Sequence, residues 1–202
     1  MVSGTKGRRF ESYRVYHFYL TVKLLMTGKL IFVSGLSGAG KTTLIRAAIN
    51  EITRLHYLKT VTTRPQRPDE SDSFEYKFVS DDEYDALKTK SANWDHTDYQ
   101  GYKYGADVDE VRALLDAGEN VICSVAPDTE VAKVMSQLYG ASPVIVWIDT
   151  PAEVAKSRTG HDEVRFNRAE DNTLKNEADH IFKPTGYLKD DEKAFVKLVK
   201  QL

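Results

Sequence analysis

The feature that most constrains the fold of this chain is a glycine-rich motif, Gly35-x-x-x-x-Gly40-Lys41-Thr42, which directly follows a short apolar segment. Residues 30–33 are all apolar and predict a buried strand, and an apolar period typical of a helix follows the motif. A strand, a glycine-rich loop and a helix in this order are the context of a phosphate-binding loop. The alternative, a chance glycine turn, does not account for the strand and the helix on either side.

The chemistry of phosphate binding explains the residue types in this motif. Glycine lets backbone N–H groups close around phosphate oxygens, and the N-terminus of the following helix adds positive potential. Lys41 is predicted to bind the outer phosphates and to act in catalysis, and the Thr42 hydroxyl is predicted to ligate Mg²⁺. The residues predicted to bind the triphosphate are Gly35, Ser37, Gly38, Ala39, Gly40, Lys41, Thr42 and Thr43.

The length and composition of the chain exclude several classes of protein. Its 202 residues, 41% apolar and 29% charged, are ordinary for one globular enzyme domain. A net charge of −2 gives no reason to expect nucleic-acid binding. The single cysteine, Cys123, excludes a disulfide framework. No segment approaches the ~18 apolar residues of a membrane span, so we expect a cytoplasmic protein without a membrane partner.

The first 25 residues differ from the rest of the chain because their charge is almost entirely basic. Organelle targeting is one interpretation of such a segment. The other is a start assigned too far upstream, since Met26 lies just before the first predicted strand. We expect residues 1–25 to be disordered or mis-assigned, and residues 26–202 to form the domain. The charged residues of this segment are Lys6, Arg8, Arg9, Glu11, Arg14 and Lys23.

Alternating strand and helix patterns predict an α/β fold with a doubly wound parallel sheet. Residues 58–63 are predicted to be the second strand, and the apolar stripe of the first helix is predicted to extend to Leu55. Between about residues 64 and 106 the chain becomes aromatic and polar, which favours a small antiparallel lobe inserted into the core. A polar helix is predicted over residues 165–177.

A second anion-binding site is predicted within the inserted lobe. Arg64 and Arg67 lie on a segment stiffened by prolines, which lowers the entropy lost when both guanidinium groups bind one phosphate. Tyr76 and Tyr104 lie in the same lobe and could donate their hydroxyls to the same group. The alternative is that these are ordinary surface arginines, but the nearby triphosphate motif favours an enzyme that holds a phosphoryl acceptor opposite a donor.

These motifs together resemble the acceptor-binding lobe of the guanylate kinase family. The resemblance rests on Thr62-Thr63-Arg64-x-x-Arg67, on Tyr76-Lys77-Phe78-Val79-Ser80, on Trp94 and on Gly101-Tyr102-Lys103-Tyr104-Gly105. It implies a P-loop kinase that transfers the γ-phosphoryl group of ATP to GMP, and to dGMP, with Mg²⁺. By position it implies that GMP binds to Thr60, Arg64, Arg67, Tyr76, Asp95, Tyr104 and Gly105.

The chain departs from the family pattern at three positions near the guanine. Asp95 stands where the family has glutamate, and Ala106 stands where it has serine. Val125 and Ala126 replace an Ile-Asp pair, so one carboxylate that contacts the guanine amino group is missing. The resemblance therefore implies phosphate binding more fully than it implies guanine recognition.

The resemblance also implies a short lid at about residues 158–168. Arg158 and Arg168 occupy the positions of catalytic lid arginines, while the match of Arg165 is less clear. Such arginines would neutralise charge on the transferred phosphoryl group. A solvated basic helix face paired with nearby carboxylates remains the alternative.

Two other functions remain open at this point. The chain could be a kinase of the same fold with another phosphorylated acceptor, because Ala126 removes a base contact. It could also be a guanylate-kinase-like protein-interaction module, although such a module has no need of Gly40-Lys41-Thr42. The sequence predicts no obligate protein partner.

Overall fold

The computed structural model describes residues 28–66, 74–99, 101–125, 129–158 and 173–202. The predicted N-terminal extension, residues 1–25, lies outside these residues. Nine strands occur within the described ranges. They are β1 (Leu30–Gly35), β2 (Leu55–Tyr57), β3 (Thr60–Thr62), β4 (Tyr76–Phe78), β5 (Trp94–Tyr99), β6 (Tyr102–Asp107), β7 (Asn120–Ser124), β8 (Val144–Ile148) and β9 (His180–Phe182).

Seven helices lie between these strands in the described part of the chain. They are α1 (Lys41–Glu51), α2 (Asp81–Lys90), α3 (Val108–Asp116), α4 (Thr129–Tyr139), α5 (Ala152–Arg158), α6 (Thr173–Asn176) and α7 (Leu188–Gln201). None of the helices in the described ranges combines the length and the apolar character needed to cross a membrane.

Five parallel strands form the central sheet, in the order β2-β7-β1-β8-β9. Both faces of β1 are buried because its side chains alternate between two cores. Leu30 and Phe32 pack against α3 and α4, while Ile31 and Val33 pack against α1 and α7. The central position of β1 holds the glycine-rich loop at the carboxyl edge of the sheet. This arrangement confirms the predicted doubly wound α/β fold.

Four strands form a second sheet, in the order β4-β3-β6-β5. β3 pairs in parallel with β4 and antiparallel with β6, which also pairs antiparallel with β5. Helix α2 covers one face, with Tyr84 fully buried. Ser80 caps this helix through a capping box with Glu83. A small second sheet beside the core was predicted, and its pairing is mixed rather than wholly antiparallel.

The prediction of one strand over residues 58–63 is wrong, and so is the extension of the first helix to Leu55. Helix α1 ends at Glu51, and Leu55 begins β2 in the central sheet. The backbone N–H of Leu58 still bonds to Ile122 of the central sheet, but that of Thr60 bonds to Glu75 beside β4. The chain thus passes from one sheet to the other across Leu58 and Lys59, and no glycine or proline marks the change.

Candidate active site

The glycine-rich loop connects β1 to α1 at the centre of the carboxyl edge of the sheet. Gly40 precedes α1 with φ of 96°, a left-handed conformation that favours glycine. Gly35 has φ of 145°, and a Cβ there would lie 2.7 Å from the carbonyl oxygen of Ile148. Two of the glycines in the motif are therefore required by backbone conformation and by close approach to β8.

Side chains around the loop hold its shape. Lys41 Nζ donates hydrogen bonds to the carbonyl oxygens of Gly35 at 2.9 Å and Leu36 at 3.0 Å. The Thr150 hydroxyl donates to the carbonyl oxygen of Ala39 at 2.9 Å and so ties the loop to the end of β8. Thr150 thereby supports the loop from the segment that precedes α5.

A cavity of about 790 Å³ opens over the loop. Arg158, at the end of α5, lies beside it, since a Cβ on Gly40 would be 3.8 Å from Arg158 Nη1. The structure thus brings Lys41 and Arg158, two of the predicted catalytic residues, to one cavity. Its lining includes Ser37, Gly38, Ala39, Gly40, Lys41, Thr42, Thr43, Glu75, Tyr76, Ser124, Arg158, Pro184, Gly186 and Asp191.

Two carboxylates in this lining were missed by the sequence analysis. Glu75 Oε1 accepts a hydrogen bond from the Thr42 hydroxyl at 2.8 Å. Asp191 accepts from the backbone and hydroxyl of Thr185, at 2.7 and 2.8 Å, and from the Gly186 backbone at 3.1 Å. Burial opposes ionisation of Asp191, but these bonds and the charge of Arg158 hold its pKa below its usual range. No sequence pattern links Glu75 to Thr42, because the contact joins segments distant in the chain.

One face of the second sheet carries most of the residues predicted to bind the acceptor. Tyr76 pairs with Thr60, Thr62 pairs with Tyr104, and Asp95 pairs with Ala106. Paired residues share a face of a sheet, as do alternate residues on one strand. Tyr76, Thr60, Tyr104 and Asp95 therefore lie on the same face, although they come from four different strands.

Arg64 lies at the end of β3 beside the same face. Its side chain is largely buried, with 9% of the residue exposed. The guanidinium lies over the rings of Tyr76 and Phe78, at 5.2 and 5.3 Å, and Nη1 donates to the carbonyl oxygen of Pro65 at 2.9 Å. The rings of Tyr76 and Tyr104 meet edge to face at 6.3 Å. Arg64 and both tyrosines thus form one cluster.

Asp95 reaches from this face towards the core of the central sheet. The hydroxyl of Tyr139, on α4, donates to Asp95 Oδ2 at 3.5 Å. Burial raises the pKa of the Asp95 carboxyl, while the Tyr139 hydrogen bond and His96 oppose that shift. Tyr139 was not predicted to contribute to the site, and its place near the end of an amphipathic helix indicates only a core residue.

The opposite face of the second sheet is a small core rather than a binding surface. The Tyr84 hydroxyl donates to the carbonyl oxygen of Tyr104 at 2.7 Å, accepts from Trp94 Nε1 at 2.9 Å and lies 2.8 Å from His96 Nδ1. Gly105 faces this hub, because a Cβ there would lie 2.3 Å from Trp94 Nε1 and 2.5 Å from the Tyr84 hydroxyl. Gly105, predicted to bind GMP, therefore serves close packing in this structure.

Other predicted site residues lie outside the described residues. These are Arg67 of the predicted phosphate pair, and Arg165 and Arg168 of the predicted lid. Ala126, the departure from the family pattern, also lies outside them. Among the described residues, no group of three or more histidine, cysteine, aspartate or glutamate side chains could hold a metal ion.

Comparisons with curated proteins point to one family. A family model described as guanylate kinase matches residues 27–198. Guanylate kinases of Alkalilimnicola ehrlichii and Thermus thermophilus are 39% and 38% identical over 100 residues, 50% of this chain. The matches cover 49% and 45% of those relatives, so the chain spans about half the length of the curated relatives it matches. The guanylate kinase of Caulobacter vibrioides is 32% identical over 66% of this chain and 62% of its own.

A solved structure agrees with these matches at the level of the fold. The crystal structure of guanylate kinase from Anaplasma phagocytophilum superimposes with a TM-score of 0.61, covering 87% of this chain and 86% of that chain. Its sequence identity is 16%, so the likeness concerns the fold. Because the family model spans most of the chain, the resemblance found in the sequence is confirmed: this chain belongs to the guanylate kinase family.

Proposed function

We propose that this chain is a kinase that transfers the γ-phosphoryl group of ATP to GMP, and to dGMP. The observation that carries the proposal is the position of Tyr76, which lines the cavity over the glycine-rich loop and lies on the sheet face with Thr60, Tyr104 and Asp95. A donor at the loop and an acceptor on that face would lie at adjoining sites. Phosphoryl transfer needs such positioning more than covalent chemistry from the protein.

The donor would bind at the glycine-rich loop. The N-terminus of α1 faces the cavity with no side-chain cap on its amides, and such a terminus favours phosphate oxygens. Lys41 and Arg158 would add positive charge where negative charge develops, and Arg168 would act with them. Preorganised cations of this kind stabilise the transition state more than the bound substrates.

Mg²⁺ would accompany ATP, and the oxygens at the loop fit it. The Thr42 hydroxyl lies in the cavity lining and bonds to a carboxylate, and hydroxyl, carboxylate and phosphate oxygens are the ligands Mg²⁺ prefers. Thr42 would hold the ion together with the phosphates of ATP. The ion would neutralise charge on the phosphoryl oxygens.

The acceptor phosphate would bind to Arg64 and Arg67 and to the hydroxyls of Tyr76 and Tyr104. The buried Arg64 is suited to this role because a guanidinium forks onto phosphate oxygens and is weakly hydrated. Its stacking over two aromatic rings supports the proposal by restricting its orientation.

The guanine base would be recognised by Asp95 and Thr60. An ionised Asp95 can accept from guanine N1–H and the amino group, and Thr60 can donate to O6. Adenine would leave the half-buried carboxylate without the two donors that guanine supplies, which costs about 1–3 kcal/mol or more per unpaired group.

The direct test is an acceptor panel of GMP, dGMP, IMP and AMP at fixed Mg-ATP, with ADP production as the readout. We expect GMP to exceed AMP by at least roughly a hundredfold in kcat/KM, the value of two or more unpaired groups. GMP should exceed IMP by only about tenfold, near the value of a single hydrogen bond. Equal use of AMP and GMP, or use of neither, would overturn the guanine assignment.

A further inference from the structure

Glu75 makes a contact between the two halves of the site that the proposed function leaves unexplained. It lies just before β4, in the acceptor lobe, yet its Oε1 accepts a hydrogen bond from the hydroxyl of Thr42 in the donor loop at 2.8 Å. Both residues line the cavity over the loop. A carboxylate beside the predicted metal-binding hydroxyl is unexpected, because it would repel the negative charge of a bound triphosphate.

The Mg²⁺ site of a P-loop enzyme usually combines the loop hydroxyl with an aspartate from elsewhere in the domain. Strands beside β1 end at the same edge of the sheet and are the expected source of that carboxylate. On one side, β7 has the sequence Asn-Val-Ile-Cys-Ser and ends at Ser124, so it contains no carboxylate. On the other side, Asp149 follows β8, but Lys175 Nζ holds it at 2.6 Å.

The other carboxylate in the described lining is already engaged elsewhere. Asp191 accepts three hydrogen bonds from Thr185 and Gly186, which hold the loop before α7. Within the described residues that line this cavity, Glu75 is thus the carboxylate in contact with the Thr42 hydroxyl.

The direction of the hydrogen bond suits a metal site. A hydroxyl has one proton and two lone pairs, and here the proton points to Glu75. The lone pairs of Thr42 Oγ1 therefore remain for a cation, and the accepting carboxylate increases their electron density. Partners that hold a ligand in this way typically change metal affinity 10- to 100-fold.

The segment that carries Glu75 is anchored on both sides. The Phe74 ring lies 4.7 Å from the ring of Tyr57 and 4.6 Å below the guanidinium of Arg46 on α1. The carbonyl oxygen of Glu75 accepts from the Thr60 backbone at 3.1 Å. The carboxylate is thus fixed to the donor helix by packing and to the acceptor sheet by a backbone bond.

We propose that Glu75, supplied by the acceptor lobe, is the carboxylate of the Mg²⁺ site. It would accept a hydrogen bond from the Thr42 hydroxyl and face the Mg²⁺ bound with the nucleotide. This inference rests on the proposed function for its ligand, Mg-ATP. It makes metal binding at the donor loop depend on a residue of the acceptor lobe.

The test measures nucleotide binding, not turnover. A non-hydrolysable ATP analogue is titrated into the full chain by calorimetry, once with saturating Mg²⁺ and once with EDTA, and the ratio of the two affinities is the readout. Glu75→Gln keeps the shape and removes the charge, while Glu75→Asp keeps the charge on a shorter stem. Glu110→Gln, an exposed residue on α3, is the matched control for loss of one carboxylate.

In Glu75→Gln we expect the Mg²⁺-dependent gain in affinity to fall roughly 10- to 100-fold. Affinity in EDTA should stay the same or rise, because a negative charge near the phosphates is removed. Glu75→Asp should lose less, and Glu110→Gln should match the wild type. Thermal melting of the free variants shows whether they fold.

Three results would overturn the inference. The first is a Mg²⁺-dependent gain in nucleotide affinity that is unchanged in Glu75→Gln. The second is a loss of affinity in Glu75→Gln that is equal in EDTA and in Mg²⁺, and the third is a wild type whose affinity does not depend on Mg²⁺. A folding defect in Glu75→Gln would shift the decision to Glu75→Ala, where a wild-type Mg²⁺-dependent gain would also overturn the inference. The acceptor panel is independent, so a chain that does not phosphorylate GMP could still show the Glu75 effect.

Discussion

The donor loop and the acceptor face of this chain are built in different ways. The loop is one contiguous segment whose function depends on backbone conformation, as the left-handed φ of 96° at Gly40 shows. The acceptor face collects side chains from four strands through sheet register, with Asp95 and Tyr76 distant in sequence. Damage to the loop should therefore affect the chemical step, whereas damage to the face should affect the choice and affinity of the acceptor.

The largest effect should come from Lys41→Ala. If Lys41 stabilises charge between the β- and γ-phosphates, its loss should lower kcat by roughly 10²–10³, the scale of one preorganised donor. Steady-state kinetics with GMP would measure it, and Lys88→Ala on the exposed side of α2 is the control for charge. A variant that keeps a third or more of wild-type turnover would show that Lys41 does not stabilise the chemical step.

The next effect should come from Arg64→Ala. Hydrogen bonds to charged groups contribute about 1.5–3 kcal/mol, so KM for GMP should rise roughly ten- to a hundredfold while KM for ATP changes much less. Arg64→Lys should recover only part of the loss, since an ammonium does not form the same fork. Because Arg64 is buried, a melting curve must accompany the kinetics. A rise in KM for ATP alone would mean that Arg64 belongs to the donor site rather than to the acceptor site.

A smaller effect, on specificity rather than rate, should come from Asp95→Asn. Asparagine presents an amide donor where guanine needs an acceptor, so the preference for GMP over AMP should fall by about tenfold or more. Burial raises the Asp95 pKa, and only the ionised form accepts both guanine donors. As the pH falls, KM for GMP should therefore begin to rise at a pH above ~3.9, the pKa of an ordinary aspartate.

The pH profile of Asp95→Asn separates this effect from titration of the nucleotide. The GMP phosphate gains a proton near pH ~6 in both proteins, whereas the Asp95 contribution is present only in the wild type. Profiles of the same shape in the two proteins would show that Asp95 does not bind the base in its ionised form.

The smallest effect on chemistry, but a clear one on stability, should come from Tyr84→Phe. Removing the hydroxyl leaves Trp94 Nε1 and the Tyr104 carbonyl without their partner, which costs about 1–3 kcal/mol of unfolding free energy. Donor binding should not change, because Tyr84 lies on the face of the second sheet opposite the site. Calorimetric melting measures the loss of stability. A loss of ATP affinity in the same variant would show that the second sheet also affects donor binding.

The same contrast explains which parts of the site could be predicted from sequence. The loop was predictable because its residues are contiguous and their types follow from backbone geometry, as for Gly35 and Gly40. Arg64 and Tyr76 were predicted as part of an anion site from their residue types and the neighbouring prolines. Asp95 came from the family resemblance alone, since nothing in its spacing shows that it shares a face with Tyr76. Glu75 and Tyr139 were missed because their contacts depend on how β4 and α4 lie against the core.

The fold shows a similar division. The apolar strands β1, β7 and β8 were predictable because burial on both faces leaves a continuous apolar run. The change of sheet between Tyr57 and Thr60 was not, because β-branched residues suit either sheet and only the partners differ. That change brings the acceptor face beside the donor loop.

The proposed reaction requires one cavity to bring a donor at the loop to an acceptor on the second sheet. The most direct measurement follows the label from [γ-³²P]ATP in the presence of GMP and Mg²⁺, with Lys41→Ala as the control. We expect the label to appear in GDP, at a rate that falls roughly 10²- to 10³-fold in the variant. Label that appears only as inorganic phosphate, or that stays in ATP, would contradict the proposed reaction.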